Sequence, residues 1–215
     1  MKRPYVLGIG LPKTGTLTLA KALDRLGWRA LHDHNRGKRM VQRNRESGLP
    51  LLAGKHRFTA FSDNPWPQVY REIDAQYPGT LFIYTVREME AWLKSRIKHA
   101  ERNRRNPRYR GGWTKVNVEK ATQRYVTHDA EVRDYFAGRE GVDFLVMDIC
   151  KPDGDRWGPL CKFLGVPRPK SPFPHKNKAS VLERRVAGFE ELERRKEDKS
   201  AQKSKKDNGE AGSPG

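Results

Sequence analysis

Apolar positions in this chain fall into short blocks separated by charged stretches, and two different periods alternate among the blocks. Tyr5–Gly10 is a short apolar run of the kind that forms a buried strand. Thr16–Leu26 places Leu17, Leu19, Ala20, Leu23 and Leu26 at helical spacing, and Gly27 suits the stop. Phe58–Phe61 reads as a second strand. Trp66–Tyr77 is helical, with Val69, Tyr70 and Ile73 on one side. Thr80–Val86 is the strongest strand by β-branched and aromatic content, and a helix starts near Glu88. Val116–Phe136 reads as a long polar helix, Val142–Ile149 as a buried strand and Trp157–Leu164 as a helix. Strands alternating with helices predict an α/β domain, with a mainly parallel sheet covered by helices. The sequence contains no internal repeat.

Two polar stretches change this picture. Arg194–Gly215 is Lys, Glu, Asp, Ser and Gly with almost no apolar residues, so the domain is expected over 1–193 and a basic, disordered tail over 194–215. Lys94–Arg110 is a second basic block, with Arg102, Arg104, Arg105, Arg108 and Arg110, and it runs into a Gly111-Gly112-Trp113 loop signature. The whole chain has 44 Lys and Arg against 26 Asp and Glu, a formal charge of +18. Such charge favours anionic partners: nucleotides, sulfated or phosphorylated substrates, nucleic acid or an acidic membrane. Only 35% of residues are apolar, yet they cluster, so a core is available. No apolar run approaches the roughly 18 residues of a membrane span, and Tyr5–Leu11 is short for a signal peptide. Cys150 and Cys161 are too few for a disulfide framework or a zinc site. They read as buried thiols in a reducing compartment, so a cytoplasmic location is expected.

The chemistry-bearing segment follows the first strand: Gly8-Ile-Gly10-Leu-Pro12-Lys13-Thr14-Gly15-Thr16-Leu17-Thr18. A glycine-rich turn here leads into a helix N-terminus, where backbone N–H groups lack partners and the helix dipole is positive. That arrangement holds a phosphate, with Gly15 allowing close approach and the threonine hydroxyls adding hydrogen bonds. A tight strand–helix turn without a ligand also fits the glycines, but not the accompanying lysine and threonines. The loop differs from a Walker A sequence. Aligning Gly10 and Gly15 on its two glycines puts Thr16 where its lysine belongs and leaves Lys13 three positions early. No acidic residue suited to Mg²⁺ ends a following strand; the strong strand runs into Arg87 instead.

Here the sequence resembles the sulfotransferases that use 3′-phosphoadenosine 5′-phosphosulfate (PAPS). In that family a loop like Pro12-Lys13-Thr14-Gly15-Thr16 binds the 5′-phosphosulfate, and a strand-terminal Arg with a Ser eight residues on grips the 3′-phosphate. This chain has Arg87 and Ser95 at that spacing. Asp153–Gly165 and Pro172–Asn177 also look like a bacterial or fungal-type branch. The resemblance covers roughly residues 4–178 and implies a three-layer, P-loop-like α/β fold. It implies PAPS as donor, with Pro12, Lys13, Thr14, Gly15, Thr16, Leu17, Thr18, Arg87 and Ser95 holding it, and 3′,5′-ADP (PAP) as product. Family members close a late loop over the nucleotide, a role that would fall here to Lys176 and Lys178. Lys13 would also neutralise charge on the leaving nucleotide. A sulfuryl group carries less charge than a phosphoryl group, so no metal is expected.

The acceptor hydroxyl or amine needs a base. Family members place a His or carboxylate before the strand that ends in Arg, and two regions compete for it. Asp63, in Phe61-Ser-Asp-Asn-Pro65, is one; it is also well placed to cap the helix that begins near Trp66. His32-Asp33-His34 is the other; it also fits a polar loop. The acceptor class stays open among small molecules, carbohydrates and lipids, with anionic ones favoured by the basic block, and the oligomeric state is likewise open. The alternative reading is a P-loop nucleotide or small-molecule kinase using ATP–Mg²⁺, against which Lys13 and the Arg87–Ser95 pair count. A nucleic-acid module would need a stacking platform, and Tyr109 and Trp113 are too few; no specific nucleic acid is expected.

Overall fold

The structure is a computed structural model and describes residues 3–54, 56–151 and 153–174. The expected tail and the late-loop residues Lys176 and Lys178 lie outside them. Five parallel strands form one sheet: β1 (Val6–Gly8), β2 (Ala30–Leu31), β3 (Ala60–Phe61), β4 (Leu81–Thr85) and β5 (Phe144–Met147), in the order β2-β3-β1-β4-β5. Six helices flank it: α1 (Thr16–Arg25), α2 (His34–Glu46), α3 (Trp66–Gln76), α4 (Met89–Arg105), α5 (Val118–Tyr135) and α6 (Trp157–Leu164). This is the α/β, P-loop-like arrangement that the alternating blocks and the resemblance predict.

Strand alternation sorts the core into two layers. Leu7, Phe61, Phe82, Tyr84 and Phe144 pack with Trp66, Val69 and Ile73 of α3, Met40 and Val41 of α2, and Val132 of α5. Val6, Ala60, Ile83 and Met147 face the other way, onto Leu19 and Leu23 of α1 and Trp157 and Leu160 of α6. A third, smaller cluster of Leu11, Trp92 and Ala121 lies where the segment after β1 meets α4 and α5. Among the described residues, no helix is long and apolar enough to cross a membrane.

Two elements depart from the sequence reading. Ala30–Leu31 is a strand, so Phe58–Phe61 supplies the third strand rather than the second, and only Ala60–Phe61 of it is paired. The segment after His32-Asp33 is a helix of 13 residues, not a polar loop. Its inner face is Gly37, Met40, Val41 and Asn44, so half of what it buries is not apolar and the periodic signal is faint. Asn44 replaces apolar burial with hydrogen bonds, its Nδ2 donating to the carbonyls of Leu51 and Ala53 at 2.9 Å each. The basic block is mostly helical as well, since α4 continues to Arg105. Of the two thiols, Cys161 is buried but Cys150 is only half-buried.

The topology decides where a ligand can sit. From β1 the chain crosses through α1 toward β2, whereas from β4 it crosses toward β5. The order therefore reverses between β1 and β4, and the crevice at their C-terminal ends is where open α/β sheets bind ligands.

Candidate active site

That crevice holds the Gly-rich segment. Ile9 leaves β1 still paired to β4, its N–H donating to the Ile83 carbonyl at 2.9 Å. At Gly10 the chain lies flush on β4: a Cβ there would fall 2.0 Å from Thr85 Oγ1 and 2.4 Å from the Thr85 carbonyl oxygen. Lys13 and Gly15 both have left-handed backbones, with φ of 85° and 96°. For Gly15 this carries no Cβ penalty; for Lys13 it stores strain of about 1–2 kcal/mol.

Donors from three surrounding segments, and one from the loop itself, fix the loop's carbonyls. His128 Nε2 of α5 donates to Ile9 at 2.9 Å, Thr14 Oγ1 to Leu11 at 2.7 Å, Trp92 Nε1 of α4 to Pro12 at 2.9 Å, and Arg87 Nη1 to Lys13 at 3.3 Å. With its carbonyls tied outward, the loop is rigid before any ligand arrives. α1 then begins with Gly15 as its N-cap, no side chain capping it, and no acidic residue in its first turn. Uncapped N–H groups at the positive end of a helix, preceded by left-handed turns, form an anion cradle.

The sequence-predicted residues divide into those that face this cradle and those that support it. Arg87, just past β4, sits against the loop through Lys13, and Tyr125 Oη holds the Arg87 carbonyl at 2.5 Å. Ser95 is half-buried in the second turn of α4. Pro12 is buried, and Leu17 is half-buried in the first turn of α1. The threonines have structural partners. Thr14 is 2% exposed, and its hydroxyl is shared between Leu11 and Thr85 Oγ1, the latter at 2.7 Å. Thr18 is buried in α1, and Thr16 Oγ1 lies 3.1 Å from His32 Nε2.

The two regions competing for the base converge. His32 Nε2 is 3.9 Å from Asp63 Oδ2, each side chain being about one-fifth exposed. Asp63 has φ of 74°, and its carboxylate caps nothing, since the N-cap of α3 is Pro65 with no side-chain cap bond. The His-Asp-His triplet does not act as one cluster. Asp33 caps α2, its Oδ1 accepting from the Arg36 N–H at 3.0 Å, and His34 is the exposed first residue of that helix. Of the three, His32 is the one with a side-chain contact to the loop, at Thr16.

Lys13 is the most perturbed cation of the site. Burial pushes its pKa down to about 8, helped by the like charges of Arg102, Arg96 and Arg87, while Asp63 opposes the shift. Arg96 and Arg102 belong to the basic block, and their position beside Lys13 is what sequence reading left unassigned. The signal that finds Arg96 is its helical spacing from Trp92 and Asn103, which are buried and carry that face of α4 along into the basic block. Trp92 and Trp157 are both core residues, 0% and 3% exposed, but Trp92 also tethers the loop.

A cavity of about 580 Å³ opens beside the loop between α3 and α5, lined by Leu11, Pro67, Gln68, Lys120, Arg124 and His128 among others. Among the described residues, no group of three or more His, Cys, Asp and Glu side chains comes close enough to hold a metal ion.

A family model for the sulfotransferase domain matches residues 5–114 and 106–182, which takes in the loop, Arg87, Ser95 and the sheet between them. The chain belongs to the sulfotransferase domain family. Among curated proteins, none matches it. As a sulfotransferase domain it is a transferase of sulfuryl groups.

Proposed function

We propose that this sulfotransferase domain moves a sulfuryl group from PAPS to a hydroxyl or amine acceptor by in-line displacement, with Asp63 as the base. The observation that carries the reading is the contact between Arg87 and the Lys13 carbonyl. It sets a strand-tip guanidinium against a loop whose N–H groups open onto an uncapped helix end. Two cationic grips at neighbouring strand tips suit a nucleotide with anions at both ends.

The residues fit that donor. The α1 N-terminus with Lys13, Gly15, Thr16 and Leu17 would hold the 5′-phosphosulfate. Arg87 and Ser95 would hold the 3′-phosphate, and Lys176 and Lys178 would close from the late segment. PAPS supplies an activated sulfuryl group on a phosphate leaving group. The Lys13 ammonium sits where negative charge grows as that group departs, and a half-buried ammonium is worth more there than one in water. Asp63 accepts the acceptor's proton, and His32, held by Thr16, stands 3.9 Å from its carboxylate. The loop is already rigid, so little reorganisation is left for the transition state.

The test compares thermal shifts of the full chain with PAP and with ATP–Mg²⁺. Stabilisation by PAP in preference to ATP–Mg²⁺ supports the reading. The reverse order would make the chain a nucleotide kinase in its ligand choice and remove PAPS as donor.

A further inference from the structure

The proposed donor employs Lys13, Arg87, Ser95 and the α1 N-terminus, and leaves a second cationic group without work. It lies on the next turns of α4. The Arg96 guanidinium meets two indoles, its carbon 4.9 Å from the ring centroids of both Trp92 and Trp113. The N–H donors of a guanidinium point outward in its plane. The Arg96 Nε is buried and has no hydrogen-bond partner among the described residues. Arg102 donates from Nη2 to Nδ1 of His99, and His99 packs edge-on against Trp113 with ring centroids 5.7 Å apart. A histidine that accepts at Nδ1 is neutral, in keeping with a pKa that burial, Lys13 and Arg102 push down to about 4. Neither Arg96 nor Arg102 makes an ion pair among the described residues.

Like charges rarely converge on a half-buried site unless something anionic joins them. Here Arg102 and Arg96 add to the burial that depresses Lys13, burial lowers both arginines as well, and Arg124 of α5 adds to the burial effect on Arg96. Arg124 lines the 580 Å³ cavity beside the loop. That cavity also takes Pro67 and Gln68 from the first turn of α3, a few residues beyond Asp63. An acceptor body in the cavity would therefore lie between the start of α3, which follows Asp63, and Arg124, whose charge acts on Arg96.

We propose that Arg96, Arg102 and neutral His99 form an oxyanion subsite for the acceptor, so that the sulfuryl group goes to a molecule that already carries a carboxylate, sulfate or phosphate. The inference rests on the donor reading above: Lys13 and Arg87 are taken by the donor, and the arginines of α4 remain for the acceptor. The cation–π contacts with Trp92 and Trp113 restrain Arg96, and a restrained guanidinium favours a bidentate oxyanion over a diffuse negative charge.

The test uses calorimetric titration of the PAP-saturated full chain, a complex without turnover. The probes are 4-hydroxybenzoate, 4-hydroxyphenyl sulfate and 4-hydroxyphenyl phosphate, with neutral 4-methylphenol as the control; the three anions distinguish which oxyanion is preferred. The expected result is binding of at least one anionic phenol about tenfold or more tighter than 4-methylphenol, as a charge-assisted pair supplies. Arg96→Met keeps the side-chain volume and Arg102→Gln leaves the cation–π contacts intact, so the pair covers a folding failure in either. Each should lose about tenfold for that phenol while keeping PAP affinity. Equal binding of the neutral phenol, or no binding of any anionic phenol, overturns the acceptor subsite and leaves the donor reading standing. A loss of PAP affinity in both variants assigns the arginines to the donor instead and overturns it too. Failure of the wild-type chain to bind PAP removes the donor reading itself, and the subsite with it.

Discussion

The Arg87 guanidinium donates from Nη1 to the carbonyl oxygen of Lys13, 3.3 Å away, across 74 positions of sequence. The contact uses one of the five N–H donors of the guanidinium and leaves the others for an anion. It also ties the tip of β4 to the loop after β1, so the two cationic grips cannot drift apart. A nucleotide that spans them meets a site whose geometry is set in advance.

Lys13→Ala should cost about 100-fold or more in kcat, the loss typical of a donor aimed at developing charge. Stability should hold, because the variant removes a half-buried charge and leaves the same left-handed backbone. Lys13→Gly should be more stable than Lys13→Ala by about 1 kcal/mol, since glycine relieves the φ of 85°. Denaturant melts of the two variants, beside a sulfuryl-transfer assay, check both points.

The depressed pKa of Lys13 fixes the sign of a pH effect. Only the ammonium pairs with an anion, and it holds its proton below about 8 rather than up to the ordinary 10.5. Above about 8, binding PAP must first recapture a proton. The Kd should then rise by up to about tenfold per pH unit, and stay level below that point as far as Lys13 is concerned. Calorimetry between pH 6.5 and about 9.5 reads this directly, and Lys13→Met should flatten the profile.

Asp63→Asn and Asp33→Ala separate the two candidate regions for the base. Asparagine tolerates the left-handed backbone of Asp63, so Asp63→Asn should fold, bind PAP and lose about 100-fold or more in kcat. Asp33→Ala deletes the cap of α2, which should cost about 0.5–2 kcal/mol of stability and leave kcat close to wild type. Paired activity and melting measurements distinguish the roles; the opposite pattern would move the base to the start of α2.

Gly10→Ala should push β1 and β4 apart at the crevice. The added Cβ meets the Thr85 backbone as well as its side chain, so no rotamer change relieves it. A loss of about 1–3 kcal/mol in stability is expected, with weakened PAP binding. Wild-type stability in this variant would mean the loop does not lie against β4 as described.

Much of this site can be read along the chain, and the legible parts share a cause. The loop and Arg87 lie next to strong apolar strands, so local patterning places both at strand tips, and alternation places those strands in one parallel sheet. Asp33 and Asp63 show the limit. Both are acidic residues just before a helix, but one caps its helix and the other does not, a difference set by the backbone at Asp63 and by its neighbour His32. α2 escaped notice because Asn44 anchors it by hydrogen bonds where a hydrophobe would have signalled burial. The basic block suggests an anionic partner, but which of its arginines face the site depends on the packing of Trp92 and Trp113 against Arg96, which local patterning does not show.

In the proposed donor complex one nucleotide is gripped at both ends, by the loop at its 5′ side and by Arg87 at its 3′ side. The most direct measurement is calorimetric titration of wild type and Arg87→Ala with PAP and with 5′-AMP, which lacks the 3′-phosphate. Wild type should bind PAP about 100-fold or more tighter than 5′-AMP, as a bidentate charge-assisted pair provides, and Arg87→Ala should erase most of that difference. Equal affinity of wild type for the two nucleotides, or an Arg87→Ala variant that still prefers PAP as strongly, would contradict it.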